Sequence, residues 1–116
     1  MPSPTFSPFE VVVIPFPFTD SAATKRRPAL VISAKTFNQA TGHVVLAMIT
    51  TAQHSSWAGD VPLKNWKQTG LPKPSMVRLK LFTLDQRFIV RQLGHLGSRD
   101  KQQVRASLNQ HILNPA

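Results

Sequence analysis

A chain of 116 residues makes one small domain, long enough to bury a core without metal or disulfide staples. Its 14 lysines and arginines stand against 5 acids, a net charge of +9. That excess points to a polyanionic partner, nucleic acid before an anionic membrane or an acidic protein. The absence of cysteine excludes disulfide scaffolds, thiolate zinc sites, iron–sulfur clusters and cysteine nucleophiles.

Pro2, Pro4 and Pro8 among serine and threonine predict a loose, flexible tail over residues 1–8. Glu10 to Phe18 reads as a strand, placed at a sheet edge by Pro15 and Pro17, because proline cannot donate to a ladder. The run Val11–Phe18 is also the longest apolar stretch, too short and too proline-rich to span a bilayer. No Lys or Arg precedes Lys25, so no signal-peptide n-region is present, and a cytoplasmic protein with no membrane association is expected.

Thr19 to Arg27 reads as a surface loop closed by Pro28, and Ala29–Ser33 as the second strand. Lys35 to Gly42 is expected to be a polar connection, and His43 to Thr51 a strand buried on both faces. After a loop over 52–59 come a short strand at Asp60–Leu63, a turn-rich stretch to Pro74 and a longer strand at Ser75–Leu84. A further strand is expected at Phe88–Leu93. A helix opens at Ser98 as N-cap, with Asp100 in its first turn and Val104, Leu108, His111 and Ile112 on one face. Short strands and one closing helix give a mainly β domain, a curved sheet or partly open barrel.

The chemistry-bearing residues exclude several reaction classes. Glu10, Asp20, Asp60, Asp85 and Asp100 are too widely spaced to suggest a two-metal or paired-carboxylate site. His43, His54, His95 and His111 show no metal-ligand spacing, and no nucleotide-binding glycine loop or serine elbow occurs, so neither metal nor cofactor is expected. Basic and hydroxyl side chains remain. They suit RNA cleavage, because RNA carries its own nucleophile in the 2′-OH. Such a site needs only alignment, proton transfer and stabilisation of negative charge at phosphorus. Lys25, Arg26 and Arg27 form the densest basic cluster. Thr50 and Thr51 close the third strand; ordinary β-branched strand residues would explain them as well. Trp57 could stack on a base. Arg78 could hold phosphate or pair with Asp60 or Asp85. His54 titrates in the range of an acid–base group.

Four segments, read in order, resemble the MazF/PemK family of type II toxin–antitoxin toxins. They are EVVVIPFPFTDSAATKRRPALVIS, VVLAMITTAQ, GDVPLKNWKQTGLPKPSMVRLKLFTLD and IVRQLGHL, with R-R-P-A-L-V-I-S, M-I-T-T and G-L-P-K-P-S the most specific elements. The resemblance covers about Phe9 to Leu113 as a single domain. It implies an SH3-like barrel of the MazF/Kid/CcdB plasmid-maintenance type with a C-terminal helix, acting as a homodimer. It further implies a ribosome-independent, metal-independent endoribonuclease (mRNA interferase) on single-stranded RNA, restrained by a cognate antitoxin. By motif, Arg27 is the expected acid–base and phosphate-binding residue and Thr50 the transition-state stabiliser. Lys25, Arg26, Thr51, His54, Trp57, Arg78 and Lys80 are the expected RNA contacts. Some members carry an acidic base two residues after the arginine that Arg78 matches, where this chain has Lys80. The base is then open among Arg27, Asp60 and His54. The readings to set against the nuclease are a non-catalytic toxin on the same fold that binds a target such as DNA gyrase, and a plain nucleic-acid-binding module.

Overall fold

The computed structural model describes residues 5–16, 25–52 and 57–114. Strands β1 (Glu10–Phe16), β2 (Lys25–Val31), β3 (His43–Thr51), β4 (Val61–Pro62), β5 (Ser75–Asp85) and β6 (Arg91–His95) form one antiparallel sheet in the order β4-β5-β3-β2-β1-β6. Helix α1 (Lys35–Thr41) bridges β2 and β3, and helix α2 (Ser98–Leu108) follows β6 and continues as a π-type turn, Asn109–Leu113. No helix among the described residues is long and apolar enough to cross a membrane.

Alternation along the strands gives the sheet two apolar faces. Val11, Leu30, Ala47, Ile49 and Val77 join Leu96 and Val104 of the C-terminal segment in one core. Val12, Ile14, Ala29, Val31, Val44 and Leu46 form a second core with Phe6. The sheet curls until the 3₁₀ turn Trp66–Thr69 meets β6. A Cβ on Gly94 would lie 2.8 Å from the Thr69 carbonyl oxygen, and one on Gly70, whose φ is +82°, 2.9 Å from that of Leu93. Only glycine permits this closure.

Several expectations are corrected. Phe6 and Ser7, read as part of a flexible tail, are tied down: Phe6 is buried, its carbonyl accepts from Asn38 Nδ2 at 2.9 Å, and the Ser7 N–H donates to Glu10 at 2.9 Å. The connection 35–42 is a helix. Its fully buried Asn38 ties it to Phe6 and Ser33, a tertiary contact that no periodicity announces, and Gly42 ends it in the left-handed region. The basic cluster 25–27 lies in β2, not in a loop. The last strand begins at Arg91, after a 3₁₀ turn at Gln86–Phe88. Gly97, not Ser98, caps α2. Buried Asp100 accepts the N–H groups of Lys64 and Asn65 at 3.1 and 3.0 Å, fastening the helix to the loop before the Trp66 turn. Val104 is buried as expected, but His111 and Ile112 are exposed, because the π-type turn rotates them off the helical face.

The placement of β1 corrects the reading of its prolines. β1 lies between β2 and β6, not at an edge. In an antiparallel strand, successive residues direct their N–H and C=O groups to opposite neighbours. The Val13 carbonyl accepts from Val90, so odd-numbered residues of β1 face β6. Pro15 has that phase, and β6 pairing ends at Val13. The proline stands where a ladder has already stopped. Its other side pairs with β2 to the last residue, Phe16 opposite Lys25.

Candidate active site

The same rule opens the site. The Ile32 N–H donates to the Val45 carbonyl across β2 and β3 at 2.9 Å, so even-numbered residues of this segment face β3. Pro28 has that phase and no N–H to offer Ile49, its partner in the continued register. The β2–β3 ladder ends one residue earlier, at Ala29 opposite Met48. Beyond that point β2 runs on with β1, and β3 runs on with β5 to Thr51. Two strand pairs part inside one sheet.

A cavity of about 490 Å³ occupies the parting. Arg26, Arg27, Pro28 and Val13 line one wall and Ile49, Thr50, Thr51 and Ser75 the other. Gly70, Leu71, Pro72, Lys73, Arg91 and Leu93 complete it, brought there by the closure of the curl. Arg27 on β2 and Thr50 on β3, the arginine and threonine named from sequence, both line this cavity. Among the described residues that line the cavity there are four cations, Arg26, Arg27, Lys73 and Arg91, three hydroxyls and no acid. Such a lining favours an anion with several oxygens: arginine forks take two at once, and hydroxyls donate to a third.

The other expected contacts fall elsewhere. Lys25 is exposed at the start of β2, opposite Phe16, and does not line the cavity. Arg78 pairs with Asp60, its Nε 3.2 Å from Oδ1 and its Nη2 3.0 Å from Oδ2. That hydrogen-bonded pairing, more than charge alone, holds the Arg78 guanidinium above its ordinary pKa. Asp60, a candidate base, is thus engaged by Arg78 and is not among the cavity-lining residues. Trp57 and Lys80 sit with this ion pair. His54 lies outside the described residues. Among the described residues, no three His, Asp or Glu side chains gather as a metal site.

Lys73, Ser75 and Arg91 were missed as site residues. Lys73 and Ser75 belong to G-L-P-K-P-S, but no local pattern singles out which members of that segment line the cavity. Arg91 reaches the site through its pairing with Val13 across β1 and β6, a contact between residues far apart in the chain.

Known structures share the whole architecture. An endoribonuclease in complex with its cognate antitoxin from a mycobacterial species superposes with a TM-score of 0.76, covering 95% of this chain and 97% of that one at 17% identity. A MazE–MazF complex from Deinococcus radiodurans gives 0.76 over 98% and 100% of the two chains at 22% identity. The Mycobacterium tuberculosis toxin MazF-mt6 gives 0.70 over 87% and 93% at 22% identity. No curated protein sequence matches. The family model described as PemK-like, MazF-like toxin of type II toxin–antitoxin systems matches residues 7–112, nearly the whole length. With the parted strands carrying R-R-P and M-I-T-T at the walls of the cleft, the chain belongs to the PemK-like, MazF-like toxins of type II toxin–antitoxin systems.

Proposed function

We propose that this toxin is a metal-independent endoribonuclease that cleaves single-stranded RNA in the cleft between β2 and β3. The observation that carries the reading is the lining itself, which holds Arg27 and Thr50 among further cations and no acid among the described lining residues. The 2′-OH passes its proton to solvent as its oxygen attacks the adjacent phosphorus, the P–O5′ bond breaks, and the departing 5′-oxygen takes up one proton in return. The products are a 2′,3′-cyclic phosphate and a 5′-hydroxyl. Negative charge builds on the non-bridging oxygens as the P–O2′ bond forms. Arg27 holds two of these oxygens and is the group placed to return a proton to the departing 5′-oxygen; Thr50 donates its hydroxyl to the charge that develops. Lys73 and Arg91 hold the flanking backbone. With no described carboxylate at the cavity, the weight of catalysis falls on charge stabilisation, and Asp60 acts through Arg78. The toxin works in the cytoplasm as a homodimer, and its antitoxin blocks this basic cleft with an acidic segment.

The test is cleavage of a mixed-sequence RNA in EDTA by wild type, Arg27→Ala and Thr50→Val. Cutting by wild type to 5′-hydroxyl ends, lost in Arg27→Ala with unchanged folding, supports the reading. RNA binding without products at any enzyme concentration would replace it with a binding-only toxin.

A further inference from the structure

A second cluster stands on the same face of the sheet as Thr50, one step along β5. Thr50 pairs with Met76, and Arg78 lies two residues on, hence on the same face. Diagonal neighbours of this kind are about 7–8 Å apart. The β3–β5 register then slips: Ala47 faces Leu81 and Met48 faces Arg78, which leaves Leu79 and Lys80 in a bulge. Bulges re-aim side chains. Here Lys80 Nζ comes 4.9 Å from the centroid of the Trp57 ring, and the Arg78 guanidinium carbon 5.7 Å from it. Asp60, which precedes β4, accepts two hydrogen bonds from Arg78.

Trp57 keeps 43% of its surface exposed. A tryptophan retained only for packing buries more of its large apolar area. With the two cations over its ring and nearly half of its surface open, the indole offers what an unpaired nucleotide needs: a flat apolar surface for the base and positive charge for the adjoining phosphate. We infer that Trp57, with Lys80 and Arg78 beside it, forms a subsite for a nucleotide flanking the scissile phosphate. The base stacks on the indole, Lys80 holds the neighbouring phosphate, and Asp60 positions Arg78 between this subsite and the cleft. The subsite reads no base edges, so it favours a well-stacking base at its position without specifying one. The inference rests on the ribonuclease reading for its orientation relative to the cut.

The test takes the sequence that wild type cuts in mixed RNA and makes a series of oligonucleotides, each with one base removed at a position flanking the cut. For wild type, one position costs about 5- to 150-fold in kcat/KM, the effect of one stacked base. Trp57→Ala loses the same factor on the intact strand, mostly in KM, and loses nothing more from the abasic substitution at that position. Trp57→Phe keeps most of the activity, and thermal melting confirms that both variants fold. Effects of Trp57→Ala and abasic substitution that multiply at every position, or an unchanged kcat/KM in Trp57→Ala, overturn the subsite. Quenching of tryptophan fluorescence by mixed-sequence single-stranded RNA, with Trp57→Phe as the control, reads binding whether or not the RNA is cut. Quenching that depends on Trp57 without any cutting keeps the subsite and removes the nuclease reading. Cutting without that dependence does the reverse, and neither signal removes both.

Discussion

Strands β2 and β3 differ between their two ends. From Ala29 to Val31 they are paired with Met48 to Leu46, and fully buried Leu30, Val31, Leu46 and Ala47 fill the cores on either face. From Lys25 to Pro28 and from Ile49 to Thr51 they part, and the cleft they leave is lined by cations and hydroxyls. One residue separates the two regimes. Pro28 removes the donor that the ladder would use next, and hydrophobic closure gives way to a polar opening. Under the proposed function, stability and chemistry occupy opposite ends of the same pair of strands, and each should then be open to change without the other.

The largest expected effect is at the open end. Arg27→Ala lowers kcat/KM for RNA cleavage by about 10³-fold or more and leaves the melting temperature unchanged, because the side chain is exposed and fills no core. Thr50→Val costs about 10²- to 10³-fold, the usual loss for one transition-state donor. If Arg27→Ala unfolds the protein, the separation of the two ends is wrong.

At the paired end the signs reverse. Leu46→Ala empties a fully buried position and is expected to cost about 2–5 kcal/mol in denaturant unfolding. Measured well below its melting temperature, that variant should cut RNA at close to the wild-type rate. A core substitution that abolished cleavage in the folded protein would show that the two ends are mechanically coupled.

The boundary itself can be moved. Pro28→Ala restores an N–H aimed at the Ile49 carbonyl, and a hydrogen bond there is worth about 0.5–1.5 kcal/mol. The cleft should spend more of its time closed, lowering kcat/KM by up to about 10-fold while stability holds or rises. Slowed exchange of the new amide would report the added bond. Fast exchange with full activity would show that something other than the missing donor keeps the strands apart.

The smallest effect lies far from the cleft. Asp85, at the end of β5, is held at about 2 by Arg87, first through side-chain hydrogen bonds at 2.8–3.1 Å and then through the Arg87 backbone N–H. A carboxyl depressed in the folded state adds stability above its unfolded pKa and loses that contribution as pH falls through the folded value. The contribution of the pair is therefore complete above about pH 4 and lost between about pH 4 and pH 2, and it is small throughout, since the pair is solvent-exposed and screened. Arg87→Ala should return the Asp85 pKa, followed by NMR titration, toward the ordinary carboxylate range, with no effect on RNA cleavage.

The order and type of most strands were legible because alternation and turn residues are local. Val11–Ile14 and Val44–Ile49 can scarcely be anything but buried β-structure. The motifs around Arg27 and Thr50 singled out two residues that line the cavity. Helix α1 was not legible, since its decisive contact is Asn38 to Phe6, 32 residues away. Nor was the role of the prolines. Proline in β1 suggested an edge, but which neighbour a missing N–H faces depends on strand order and register, which no local pattern contains.

Sequence alone settled the net charge, the lack of thiols, the alternation that makes a two-faced sheet, and the motifs that mark the family. Tertiary structure decided that Arg91 and Lys73 join Arg27, that Asp60 attends Arg78 instead of the cavity, and that Trp57 lies beside Lys80. The division has one physical cause. Local propensities act over a few residues, whereas a site is assembled by ladder register and by the curl that brings Gly70 against Leu93, both fixed only when distant segments pack.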